Sequence, residues 1–147
     1  MSTHLFAYGI LMNPDLLFAL TGKQWRVEPA ILKDYGRYTM LKEGWSRLAV
    51  CEPRRGEEIK GVVVYDVDDI TLHLLDAFEC LDIGLYRRIT GRVTVPDNRE
   101  LDVQIYQGGG EAIYQLGALW SPGQFLARYF DEYLYNVIPA FLEDYHK

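Results

Sequence analysis

Glu79 is the side chain whose type and position most readily carry chemistry. It lies one turn after Leu75, at the edge of an apolar stripe in which Leu74, Leu75, Phe78 and Leu81 recur at helical spacing. A carboxylate there can sit half-desolvated at the mouth of a pocket, which raises its pKa. Read alone, the plainer alternative is a solvated helix glutamate, since most carboxylates are exposed. Tyr8-Gly9-Ile10-Leu11 is the second candidate. A turn that leaves a strand and enters a helix presents backbone N–H groups, a ready anion site. Gly9 lets the backbone approach a ligand closely. Read alone, this too is more simply a plain strand-to-helix connection. Cys80 has no histidine placed to activate it, because His73 lies two turns earlier on the same helix. His4, His73 and His146 are too far apart for metal-ligand spacing.

The elements that must position these groups follow from the pattern. Thr3 to Tyr8 reads as a strand, with Leu5 and Ala7 on one face and Phe6 and Tyr8 on the other. Asn13-Pro14-Asp15 starts a helix with a capping side chain, proline at the first position and an acid in the first turn, and Gly22 stops it. Trp25 to Leu32 and Arg37 to Leu41 read as two strands around Asp34-Tyr35-Gly36. Leu48 to Cys51 is a short strand, Glu52 to Glu57 a charged turn, and Ile59 to Val67 a longer strand with Gly61 as a bulge. Asp68 or Asp69 caps the glutamate helix, and Gly84 stops it. Tyr86 to Val95 and the alternating Leu101, Val103 and Ile105 form a hairpin around Pro96-Asp97-Asn98-Arg99. Gly108-Gly109-Gly110 breaks regular structure. Ser121 and Pro122 open a last helix with an aromatic stripe, which Pro139 kinks or ends. Six or seven short strands with inserted helices imply an α+β domain. The expected form is a small closed or nearly closed, mostly antiparallel β-barrel with flanking helices.

In order along the chain, three stretches resemble the motifs of the gamma-glutamylcyclotransferase-like family. Leu5-Phe6-Ala7-Tyr8-Gly9-Ile10-Leu11 looks like its first motif, a strand ending in Tyr-Gly-Ser/Thr-Leu. Gly61 to Val67 matches the strand before the glutamate helix, and Leu75 to Glu79 with Tyr86-Arg87-Arg88 looks like the second motif. The resemblance implies the same barrel fold. It also implies a cofactor-free enzyme that cleaves a γ-glutamyl amine or amino acid to 5-oxoproline and a free amine. By the same resemblance Glu79 is the general acid/base, the Tyr8, Gly9, Ile10 and Leu11 loop binds the substrate's α-carboxylate through main-chain amides, and Tyr86 lines the pocket. Ile10 departs from the family's usual serine, threonine or asparagine, and Cys80 from its usual glycine. Those departures leave open a small-molecule binding or regulatory protein that uses the pocket without turnover. Trp45, Arg47 and Trp120 could shape the pocket, while one of Arg87 and Arg88 pairs with a carboxylate and the other is solvated.

Composition sets outer limits. A chain of 147 residues is expected to form one domain over residues 1–147, with a C-terminal helix at about 122–145 packed on it. A hydrophobic fraction of 49% argues against disorder, and a net charge of −6 against a nucleic-acid or anionic-membrane partner. No signal peptide or membrane span is read in the sequence, and Cys51 and Cys80 are isolated, which fits a reducing cytoplasm. The expected ligand is a small γ-glutamyl compound. Its leaving group and the oligomeric state are not specified by the sequence.

Overall fold

The computed structural model describes residues 2–41, 48–109 and 116–147. Six strands form one sheet: β1 (Ser2–Ala7), β2 (Val27–Met40), β3 (Ala49–Asp68), β4 (Tyr86–Val95), β5 (Arg99–Gly108) and β6 (Leu116–Leu119). The strand order is β3-β1-β5-β4-β2-β6, and β2 also pairs with β3, so the sheet curls into a nearly closed ring. The seam is thin between β2 and β4, where one register pair, Ile31 with Thr94, joins them. All pairings are antiparallel except that of β1 with β5. The fold class expected from the sequence is therefore the observed one, α+β with a nearly closed mixed sheet and flanking helices.

β1 runs through the middle of the sheet, so Leu5, Phe6 and Ala7 are all buried, although successive residues face opposite sides. α1 (Pro14–Thr21) starts where the sequence indicates. The Asn13 side chain accepts from the amides of Asp15 and Leu16, and Gly22 ends the helix with a left-handed φ of 73°. The hairpin of β4 and β5 pairs in register from Tyr86 with Gly108 to Val95 with Arg99.

Several boundaries differ from the sequence reading. The two strands expected around Asp34-Tyr35-Gly36 are one strand, β2, and the expected charged turn lies inside one strand, β3. Asp34, with φ of 63°, is the extra residue on β2, and Arg54 to Glu57 are the extra residues opposite it, with Gly56 at φ of 87°. The Gly56 amide donates to Asp34 Oδ1 at 3.0 Å. Pairing resumes on both sides of this bulge, so long-range ladder hydrogen bonds override the local turn chemistry. Gly61 is not a bulge. It pairs regularly with Ala30, and a Cβ on it would meet the Ala7 carbonyl oxygen at 2.5 Å. The irregularity in this strand falls at Asp66, with φ of 56°, opposite the shift between Thr3 and Leu5.

The glutamate helix, α2 (Asp69–Phe78), is capped by Asp68, whose Oδ1 accepts from the Thr71 amide at 2.7 Å. It does not run on to Gly84. Cys80 turns left-handed at φ of 55°, a short 3₁₀ turn covers Leu81–Ile83, and Gly84 reverses the chain at φ of 75°. The final helix is interrupted rather than ended by Pro139. α3 (Pro122–Glu132) passes through a π turn at Tyr133–Val137 into α4 (Ile138–Tyr145). Proline lacks the N–H that an α-helix would need at that point, and the wider turn accommodates it. β6 lies on the outer side of β2 and was not legible as a strand, since Leu116-Gly117-Ala118-Leu119 shows no alternation. Among the described residues no helix is long and apolar enough to cross a membrane.

Candidate active site

A cavity of about 210 Å3 opens beside the end of α2. Glu79, Tyr8, Gly9, Ile10, Leu11 and Tyr86 all line it, although Glu79 and Tyr8 come from distant parts of the sequence. Three elements deliver them: the exit of β1, the C-cap residue just after α2, and the first residue of β4. The remaining walls include Leu48, Ala49, Phe78, Leu85, Tyr106, Tyr133 and Val137.

Glu79 is the C-cap of α2, and its amide donates to the Leu75 carbonyl at 2.9 Å. Helix termination at Phe78 turns its side chain into the cavity instead of along the helix surface. Burial raises its pKa from 4.5 to about 8, with the charge of Asp76 as a smaller contribution in the same direction. No hydrogen bond from the described residues offsets this. Asp76 is itself engaged: Tyr106 Oη donates to its Oδ1 at 2.7 Å, and Arg88 Nε approaches the same oxygen to 3.1 Å as an ion pair without aligned hydrogen-bond geometry. Arg88 is thus the arginine that pairs, and Arg87 is exposed.

The turn after β1 is a short 3₁₀ segment, Ile10–Met12. The Met12 amide donates to the Gly9 carbonyl at 3.1 Å and the Asn13 amide to the Ile10 carbonyl at 3.2 Å. The amides of Ile10 and Leu11 head the turn and have no partner within it. Gly9 has a negative φ of −111°, so handedness does not require glycine there. Space is tight instead: a Cβ on Gly9 would stand 3.3 Å from Ala49 Cβ, so Ala49 would have to give by a few tenths of an ångström. Glycine therefore lets β3 come close to the turn. The Ile10 side chain is buried in the cavity wall.

The two tyrosines spend their hydroxyls on the scaffold. Tyr86 Oη donates to the Ala49 carbonyl at 2.6 Å, which ties the start of β4 to the start of β3. Tyr8 Oη donates to the Tyr106 carbonyl and accepts from the Cys51 amide at 3.3 Å. Burial holds both phenols well above their ordinary pKa. Their rings wall the cavity, and their hydroxyls fix its shape.

Other residues were missed by the sequence reading. Arg37 Nη1 donates to the Tyr8 carbonyl at 2.9 Å and the Lys60 carbonyl at 3.2 Å, pinning the exit of β1. Tyr106 closes the cavity from an alternating strand, and Tyr133 and Val137 do so from the C-terminal aromatic stripe. A recurring aromatic stripe was the available signal, but it does not say what the stripe faces. Trp120 lines a separate depression with Phe125 and Tyr129, away from Glu79. Trp45 and Arg47 lie outside the described residues. His73 Nδ1 lies 2.7 Å from Tyr145 Oη, not near Cys80, whose thiol is pushed up in pKa chiefly by burial.

A family model described as "Gamma-glutamyl cyclotransferase, AIG2-like" matches residues 5–121. A curated relative from Methanocaldococcus jannaschii, "Gamma-glutamylcyclotransferase and putative RNase", is 28% identical over 103 residues, or 70% of this chain. The match spans only 45% of that relative's length. Among solved structures, a gamma-glutamyl cyclotransferase superposes with a TM-score of 0.71 at 18% identity, over 96% of this chain and 86% of the other. A protein of Arabidopsis thaliana gives 0.68 at 20% identity, over 90% and 85%. A yeast gamma-glutamyl cyclotransferase specific to glutathione gives 0.59 at 13% identity, over 97% and 95%. At these identities the structural likenesses establish the fold.

Proposed function

The chain belongs to the AIG2-like gamma-glutamyl cyclotransferase family, and on that premise we propose that it converts a γ-glutamyl amide to 5-oxoproline and a free amine, with Glu79 moving the proton. The observation that carries the reading is one carboxylate, raised to about pKa 8, sharing a cavity with the leading amides of the turn after β1. An amino-acid end needs both. The amides of Ile10 and Leu11 receive its α-carboxylate, and Glu79 receives its α-ammonium.

The ammonium has no free electron pair and cannot attack. Glu79 takes one of its protons, and the freed nitrogen attacks the γ-carbonyl carbon within the same molecule. A new C–N bond closes the five-membered ring. The original C–N bond then breaks, and Glu79 returns the proton to the departing nitrogen. The amine leaves as its ammonium ion after taking the second proton lost by the ring nitrogen. A group with a pKa near the working pH serves both directions of transfer. Holding the substrate folded supplies much of the rate, since well-oriented intramolecular reactions reach effective molarities of about 10⁵–10⁸ M. Docking the ammonium against Glu79 also favours the ionised carboxylate that must act as base. The rigid frame around Tyr8 and Tyr86 supports this reading, because positioning is most of what such a reaction needs.

Ile10 favours one rival. An apolar side chain stands in the cavity wall where the resembled motif usually has serine, threonine or asparagine, as in a protein that binds its ligand without turning it over. Incubation with a panel of γ-glutamyl compounds, read as 5-oxoproline by mass spectrometry, separates the two. Release from at least one compound supports the enzyme. Ligand-induced thermal stabilisation without release supports the binder.

A further inference from the structure

We infer that the leaving group is an apolar, uncharged amine and that Leu48, Phe78 and Val137 select it at the mouth of the cavity. This rests on the cyclotransferase reading and goes beyond it by naming the substrate class. Eleven of the sixteen described lining residues are buried. Those with partial exposure are Gly9, Leu48, Phe78, Glu79 and Val137, and they mark the mouth. The product amine has to depart through that mouth, so the leaving group occupies it. Apart from Glu79, every described residue there is apolar. Among the described lining residues none is cationic, and Arg88 is already paired with Asp76, which also accepts from Tyr106 Oη. A carboxylate on the leaving group would thus lose water beside Glu79 with no partner among the described residues, and a distant ammonium would lose it against leucine, phenylalanine and valine. Val137 also lies beyond residues 5–121, so this wall comes from outside the family's matched core. The π turn at Tyr133–Val137 brings both its end residues to the cavity.

The test compares kcat/KM for matched pairs on the full chain. γ-Glutamyl-isopentylamide and γ-glutamyl-leucine differ by one carboxylate. γ-Glutamyl-pentylamide and its 5-aminopentyl counterpart differ by one terminal ammonium. The uncharged member should lead by at least tenfold in each pair. Lengthening the alkyl group from ethyl to pentyl should raise kcat/KM by up to about fourfold per buried methylene. Val137→Arg, and independently Leu48→Arg, should narrow the isopentylamide-to-leucine ratio at least fivefold, with thermal melts as the folding control. A charged member that equals or outruns its partner overturns the inference while leaving the cyclotransferase reading intact. An unchanged ratio in both folded arginine variants overturns the assignment of the mouth. Release of 5-oxoproline from none of the compounds overturns the cyclotransferase reading and the inference with it.

Discussion

Glu79→Gln should make the protein more stable, and increasingly so as pH rises. The folded pKa of Glu79 is raised from 4.5 to about 8 by burial. Below pH 4.5 both folded and unfolded chains hold the proton, and the charge costs nothing. Between pH 4.5 and about 8 the unfolded chain releases the proton and the folded chain keeps it, so wild-type stability falls as pH rises. Above pH 8 both states are ionised and the cost is constant. At about 1.36 kcal/mol per pH unit, the gap sets a ceiling near 5 kcal/mol. Water at the mouth screens part of this, and the expected gain for the glutamine variant at pH 9 is about 2–3 kcal/mol. At pH 5 it should be under about 1 kcal/mol. Urea denaturation of both proteins at pH 5, 7 and 9 measures it directly, because titrations of groups that do not interact with Glu79 cancel in the difference. With slopes of about 1–3 kcal/mol per molar, the midpoint should move by roughly 1 M or more at pH 9. A difference that stays within about 0.5 kcal/mol across the range, as for an ordinary exposed glutamate, would refute the burial of this charge.

The same group sets the pH dependence of turnover. kcat/KM should rise about tenfold per pH unit from pH 6, level near pH 8 as free Glu79 ionises, then fall as the substrate's ammonium deprotonates; a limb near pH 4.5 would assign the base elsewhere. Gly61→Ala should cost at least about 2 kcal/mol in denaturation experiments, because its Cβ would meet the Ala7 carbonyl oxygen at 2.5 Å and the Phe6 ring at 2.8 Å; a loss below 0.5 kcal/mol would show that β1 and β3 can separate. Ile10→Ser should change KM by less than tenfold if main-chain amides alone hold the carboxylate. A large gain in turnover would mean that a binding hydroxyl is missing, and would favour the ligand-binding rival.

Local chemistry made some elements legible. The Asn13-Pro14 cap, the Pro96 to Arg99 hairpin and the Ser121-Pro122 start each carry their own signal, and the structure has them there. What depends on distant partners was not legible. β2 and β3 continue through Asp34 and Gly56 because each strand holds the other in register, while the sequence around them reads as turn. The end of α2 at Phe78 depends on Cys80 adopting a left-handed conformation that its residue type does not announce. The shared cavity of Glu79, Tyr86 and the Tyr8 to Leu11 turn was visible only through the motif resemblance. Tyr106, Tyr133 and Val137 reach it by tertiary packing, which an alternating strand and an aromatic stripe do not specify. The hydroxyl partners of Tyr8 and Tyr86 are backbone carbonyls on other strands, equally invisible to spacing.

The most direct test of Glu79 as the proton carrier is 5-oxoproline release by wild type and Glu79→Gln on the best γ-glutamyl substrate, with binding measured alongside. Glutamine keeps the shape but cannot accept the ammonium proton. Turnover should fall by about 10²–10⁴-fold, the range for a lost general acid/base. The variant should remain folded and still bind, through the amides of Ile10 and Leu11. Turnover within a few fold of wild type would contradict the mechanism and remove Glu79 from it.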